Sequence, residues 1–143
     1  MSEKESEAQR RAKVAEEKIW GSLIESIERS RKNPIANSLI YKIFFLIGSI
    51  KNVSEVINII SSSIDPIQTF ILNDIKVQAN IIIKTYNDII SDLHSNFRRR
   101  DAQIDRFSKI KEFESPTLKD INMTIIIMIE NLGQIVGYLV RWI

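Results

Sequence analysis

Four stretches of this chain place apolar residues at steps of three and four, and that rhythm points to a bundle of helices. The clearest stretch runs Leu118, Ile121, Ile125, Met128, Leu132, Ile135, Leu139 and Trp142. A helix turns once in about 3.6 residues, so these side chains share one stripe; a half-buried strand would alternate by two. A second stripe is Ile43, Ile47, Ile50, Ile57 and Ile60, widened by Phe44, Leu46 and Val53. A third follows Ile67, Ile71, Ile75, Ile82, Tyr86, Ile89, Leu93 and Phe97. Nearest the N-terminus, Ala8, Ala12, Ala15, Ile19, Leu23 and Ile27 keep the same spacing.

The three prolines mark where these helices begin. They occur as Asn33-Pro34, Asp65-Pro66 and Ser115-Pro116, each a preferred N-cap residue followed by proline. Proline at the first helical position gives up only an N–H that has no intrahelical partner, and the residue before it can accept from one that has none. Gln68, three residues after Asp65, adds a box-like partner there. Ser2 and Glu5 have the same capping-box spacing, which predicts a first helix starting near Ser2.

Composition pulls the other way. The chain has 29 isoleucines and 8 leucines, and isoleucine is a modest helix former that favours strands. Period outweighs propensity here, and four glycines with three prolines are too few for the turns of an all-β fold. At 143 residues, 44% hydrophobic and 27% charged, the chain suits one globular domain with a sizeable core. The expectation is an all-α, four-helix up-and-down bundle over residues 1–143, its short connections making neighbours antiparallel. Residues 1–13, whose stripe is only alanine, are expected to fray or project as an arm. Glu7/Arg11, Glu25/Arg29 and Glu28/Lys32 have the spacing of helical ion pairs. An unbroken third helix from Pro66 to Ser115 would span about 70 Å at 1.5 Å per residue. The others would be about 40–45 Å long. The third is therefore expected to bend or break near residues 94–101 and to resume as a shorter helix to about Phe113.

Recognisable catalytic chemistry is missing. Without cysteine there are no disulfides, thiol nucleophiles or thiolate-ligated metals. The single histidine, His94, has Asp88 and Asp92 six and two residues away, neither beside it on a helix. A solvated or capping histidine at a helix bend is the expectation. Gly21, Gly48, Gly133 and Gly137 form no phosphate loop. Asp101/Asp105 and Glu112/Glu114 are acidic pairs of the kind that decorate solvated helix faces. No enzyme, cofactor or metal is expected.

Two local features remain. Arg98, Arg99, Arg100, Arg106, Lys109 and Lys111 give six basic residues against two acidic ones between positions 98 and 111. On a helix, Ile104, Phe107 and Ile110 would face the bundle, while Arg99, Arg106 and Lys109 gather on another side. Such a face suits nucleic-acid phosphates, an acidic protein surface or anionic lipid headgroups. A solvated turn is the simpler reading, since the net charge of +2 attracts little at long range. Gly133 and Gly137 form a G-x-x-x-G on the apolar fourth helix, where a second backbone can come close. The expectation favours a contact within the bundle over one between subunits or in a membrane.

Residues 121–140 are long enough to cross a bilayer, but Glu130 lies near the middle, where a charge costs about 2.5–3.5 kcal/mol. The 35–50 run is short and contains Lys42, so membrane insertion is the less favoured reading. Positions 1–18 are charged and lack the apolar core of a secretory signal, which favours an intracellular or virion-associated protein. The excess of isoleucine, asparagine and lysine suits an AT-rich genome. Small, cysteine-free, isoleucine-rich bundles are similar in style to coat and regulator proteins of archaeal viruses, a compositional likeness carried by no motif.

The function expected is non-enzymatic binding through self-association, as in a viral structural protein, with the basic segment holding a polyanion or acidic partner. A small regulator of a nucleic-acid-handling machine and a membrane-associated protein are the alternatives.

Overall fold

The computed structural model describes residues 3–63 and 67–141, with side chains at Glu7 and from Arg10 onward. It contains four helices and no strand among those residues: α1 (Glu3–Arg29), α2 (Pro34–Ser61), α3 (Thr69–Phe97) and α4 (Leu118–Arg141). Short 3₁₀ turns occupy Ser30–Lys32 and Ala102–Arg106. The all-α bundle is as the rhythm predicts.

Isoleucine makes the core. Ile19, Ile40, Ile43, Ile47, Ile83, Ile90, Ile125 and Ile135 are all buried, joined by Leu23, Tyr86, Leu93 and Leu132. Burying an isoleucine contributes roughly 1.5–3 kcal/mol, well above the fraction of a kilocalorie its helix propensity forgoes. That margin explains why period prevails over propensity here.

The helix starts follow the prolines only in part. Asn33 caps α2 as predicted, its Oδ1 accepting from the Ala36 N–H at 3.2 Å, with Pro34 at the first helical position. The fourth helix begins at Leu118 rather than Pro116, because Thr117 is a better cap than Ser115 can be from two residues upstream. Thr117 Oγ1 accepts from the Asp120 N–H at 3.1 Å, and the Asp120 carboxylate accepts from the Thr117 N–H at 2.9 Å. This is a reciprocal capping box. The third helix begins at Thr69, with Gln68 extended and no side-chain cap. The predicted caps at Ser2 and Asp65, the position of Pro66 and the end of the fourth stripe at Trp142 lie outside the described residues.

The break predicted near residues 94–101 is present, with α3 ending at Phe97. The helix predicted beyond it is not. After the 3₁₀ turn the chain runs back extended along α3, held by α3 side chains. Asn87 Oδ1 accepts from the Ile110 N–H, and its Nδ2 donates to the Ile110 carbonyl, both at 2.8 Å. Asn80 treats Phe113 in the same way, at 2.8 and 3.1 Å. His94 Nε2 meets the Ile104 carbonyl at 3.1 Å, a contact that needs the proton on Nε2, and Lys76 Nζ donates to Glu114 O at 3.3 Å. Seven helical residues rise about 10.5 Å and three extended residues about 10 Å, so Asn80 and Asn87 match Phe113 and Ile110 in register.

These pairs set the chain direction. Glu16–Lys51 and Trp20–Phe44 make α1 and α2 antiparallel, and Lys42–Asp92 places α2 against α3 across a short connection. Because the extended leg returns to the start of α3, α4 then climbs beside α3 in the same direction, with Asn131 donating to Tyr86 Oη at 3.1 Å. Direction therefore alternates over five legs, four helical and one extended. Helix α2 touches all three other helices, while α1 packs most extensively on α4.

Candidate functional site

The basic segment does not form one helical face. Arg98 pairs with Asp105 at 2.8 Å, and Arg100 and Arg106 lie over the rings of Phe97 and Phe107. Arg99, Arg106, Lys109 and Lys111 are exposed and make no ion pair among the described residues. Arg98, Arg99, Arg100 and Arg106 sit at one end of the bundle. Lys109 and Lys111 flank Ile110, which bonds to Asn87, so they lie about 15 Å down the side of α3 by the helical rise. The predicted grouping of Arg99 and Arg106 with Lys109 is thus undone by the extended leg.

The fold instead adds basic residues that the linear sequence keeps apart. The last turn of α1 ends at the same end, the Ser30 hydroxyl accepting from Asn37 Nδ2 in the second turn of α2. Arg29, Arg31 and Lys32 therefore lie at the end occupied by Arg98–Arg106. Arg141 joins from the last turn of α4, 3.4 Å from Asp101 and over the Tyr138 ring, while Tyr138 Oη donates to Gln103 at 2.6 Å. Eight basic residues share this end with Glu25, Glu28, Asp101 and Asp105. At least four of them are paired among the described residues: Arg29 with Glu25, Arg31 with Glu28, Arg98 with Asp105 and Arg141 with Asp101. Cations at the C-terminal ends of α1, α3 and α4 also offset the helix dipoles. The signal for the missed residues was positional, since each falls in or beside the last turn of a helix.

Of the other predicted ion pairs, Glu25–Arg29 forms at 3.7 Å. Glu28 takes Arg31 instead of Lys32, at 3.1 Å, because the chain tightens into the 3₁₀ turn Ser30–Lys32, where residues three apart eclipse. Arg11 reaches across to α4, its Nη2 2.6 Å from Glu130 Oε1. That oxygen is buried, and the Arg11 guanidinium offsets its charge there.

Gly133 and Gly137 make no close contact with another element among the described residues. A methyl group built on either would meet nothing from a neighbouring element within 4 Å there, so the close packing favoured from sequence is absent among those residues. Gly133 lines an open groove of about 580 Å³ between α1 and α4, with Arg11, Ala15 and Glu130 around it. Helix α4 is mainly a core helix, its exposed apolar residues being Met123 and Ile127.

The larger apolar exposure lies elsewhere. Phe45 is 70% exposed and Ile59 73% on α2, while Phe70 is 64% and Ile81 54% exposed on α3. Tyr41, Val56 and Val77 add to the same outer side. Between α2 and α3 runs an open groove of about 640 Å³, with Phe45, Val53, Val56, Ile75, Ile81 and Ile82 along it. One end carries Lys42, bonded to Asp92 at 2.8 Å, and the groove also contains Asp74, which makes no ion pair among the described residues.

Among the described residues, Tyr86 is the one buried titratable group with a clear shift. Burial pushes its phenol above the usual value, and the Asn131 amide partly offsets this. No group of three or more His, Cys, Asp or Glu side chains able to hold a metal occurs among the described residues. No protein family, curated protein or solved structure matches the chain.

Proposed function

We propose that the chain is a non-enzymatic helical-bundle protein that works by binding: it associates with itself and offers its basic end to a polyanion or acidic surface. The observation that carries this reading is the apolar outer side of α2 and α3. Side chains such as Phe45 and Ile59 are more than two-thirds exposed, well beyond the scattered apolar residues normal on a monomer's surface. The basic end supports the second half, because Lys32, Arg99 and Arg106 have no acidic partner among the described residues and remain free for phosphate or carboxylate. A structural protein of a virion is one form of such an assembly; a small regulator of a nucleic-acid-handling machine would use the same end. Light scattering on the detergent-free protein, across a salt series and with or without duplex DNA, tests both halves. A particle larger than one chain that gains DNA at low salt and releases it as salt rises supports the reading. A strictly monomeric species indifferent to DNA refutes it.

A second reading has its own support. Helices α2 and α4 are each long and apolar enough to cross a membrane, and only a third of the most apolar part of α2 is buried. Burial of half the corresponding part of α4 suits a core helix. Recovery of the protein from membranes only with detergent would favour this reading over a soluble assembly.

A further inference from the structure

We infer that the groove between α2 and α3 is a dimer interface, occupied by the same groove of a second copy related by a two-fold axis. The inference rests on the self-association proposed above and names its surface and geometry.

The exposed apolar area suits a second copy. Tyr41, Phe45, Val56, Ile59, Phe70, Val77 and Ile81 are 43–73% exposed on the outer side of the two helices. With about 150–250 Å² per aromatic side chain and somewhat less per aliphatic one, they present roughly 700 Å². Phe45, Val56 and Ile81 line the groove itself and the other four lie on the same two helices; together they approach the roughly 800 Å² per partner of a stable complex.

The charges along the groove are self-complementary. Along α2 the outer positions Tyr41, Phe45, Ser49, Asn52, Val56 and Ile59 are all uncharged. The two charges that line the groove are Lys42 and Asp74. Lys42 lies level with Asp92, so the helical rise from Asp74 to Asp92 separates them by about 27 Å along the bundle. Two-fold symmetry demands that the surface complement itself. An axis through the groove near Ser49 and Ile81 reverses the second copy, and each Lys42 then meets the partner's Asp74. Lys42 can keep its bond to Asp92 while doing so, since an ammonium carries three donors. The same reversal sets the large Phe45 ring against the narrower side chain at the partner's Val56. A parallel arrangement would instead put Lys42 against Lys42 and Asp74 against Asp74.

Sedimentation velocity on the full chain tests this, with circular dichroism confirming that each variant keeps its helices. The wild type should sediment as a dimer, and Phe45→Glu with Ile81→Glu, both at exposed positions, as a monomer. Asp74→Lys should weaken the dimer at least tenfold by placing a cation against Lys42, and adding Lys42→Glu should restore it. A wild type that dimerises equally well after Phe45→Glu and Ile81→Glu would overturn the interface and leave self-association standing. A wild type that is monomeric at millimolar concentration would overturn both. A monomer that floats with phosphatidylcholine vesicles, and ceases to do so after Phe45→Glu, would make lipid the occupant and overturn the dimer.

Discussion

Removing the Asn87 side chain should release the extended leg before it unfolds the bundle. In Asn87→Ala the Ile110 N–H and carbonyl both lose partners held at 2.8 Å. A protein hydrogen bond contributes about 0.5–1.5 kcal/mol net, and a half-buried group left without one costs more. The two together should lower stability by about 2–3 kcal/mol if the leg stays docked, or by less if it detaches and takes up water. Phe113 is still held by Asn80, so the leg should open first around Ile110. Hydrogen exchange read residue by residue is the assay: the Ile110 amide should lose protection by one to two orders of magnitude, following about 1.4 kcal/mol per factor of ten. Buried amides in α2 should change much less. Asn87→Asp sharpens the test, because a carboxylate still accepts from the Ile110 N–H but cannot donate to its carbonyl. It should fall between the wild type and alanine. Unchanged protection at Ile110 in Asn87→Ala would refute the account of the leg as clamped by side-chain amides.

Four further outcomes follow from other contacts in the fold. Gly137→Ala, in an exposed helical position where the added methyl meets nothing, should stabilise the chain by about 0.5–1 kcal/mol in thermal unfolding; loss of association in that variant would place the glycine pair in an intermolecular contact. Thr117→Ala removes the cap of α4 and should cost about 1 kcal/mol. The Asp120 carboxylate, held below its usual value chiefly by its hydrogen bonds to Thr117, stabilises the fold above pH 3.8 and ceases to as pH falls through its lowered value. Asp120→Asn should therefore flatten the loss of stability below pH 3.8 in acid unfolding. Tyr86 has the opposite sign: with its folded value raised above 10.0, it favours the fold fully below pH 10.0 and progressively less above it. Tyr86→Phe should remove that alkaline loss, read by near-ultraviolet circular dichroism.

The sequence made the helices legible because each stripe mixes steps of three and four, which only a period near 3.6 produces. The misreading after Phe97 has a definite cause. Ile104, Phe107 and Ile110 do face inward, and Phe113 after them, but always at steps of three. A pure three-residue period belongs to an extended, polyproline-like chain as readily as to a helix. The decisive clue lay on the neighbouring helix, in Asn80, Asn87 and His94 at seven-residue intervals on one face of α3. Their meaning depends on what lies opposite, and a single sequence does not display that. The basic end was half legible for a similar reason. Arg98–Arg100 stand out as a run, whereas Arg31, Lys32 and Arg141 join them only through the directions of α1 and α4.

The two binding features also constrain each other. The basic end lies at one tip of the bundle, while the α2–α3 groove runs along its side. An antiparallel two-fold dimer through that groove would therefore carry its basic ends at opposite tips. Such a dimer cannot bring both ends to bear on one short stretch of duplex, but it can link two. Its monomeric Phe45→Glu and Ile81→Glu variant keeps one basic end and can only decorate. Light scattering with duplex DNA at low salt should then show large, crosslinked particles for the wild type and small complexes for the variant, both dissolving as counterions compete for the phosphates. Small complexes of equal size for the two proteins would mean that the dimer presents both basic ends on one side, which the antiparallel arrangement forbids.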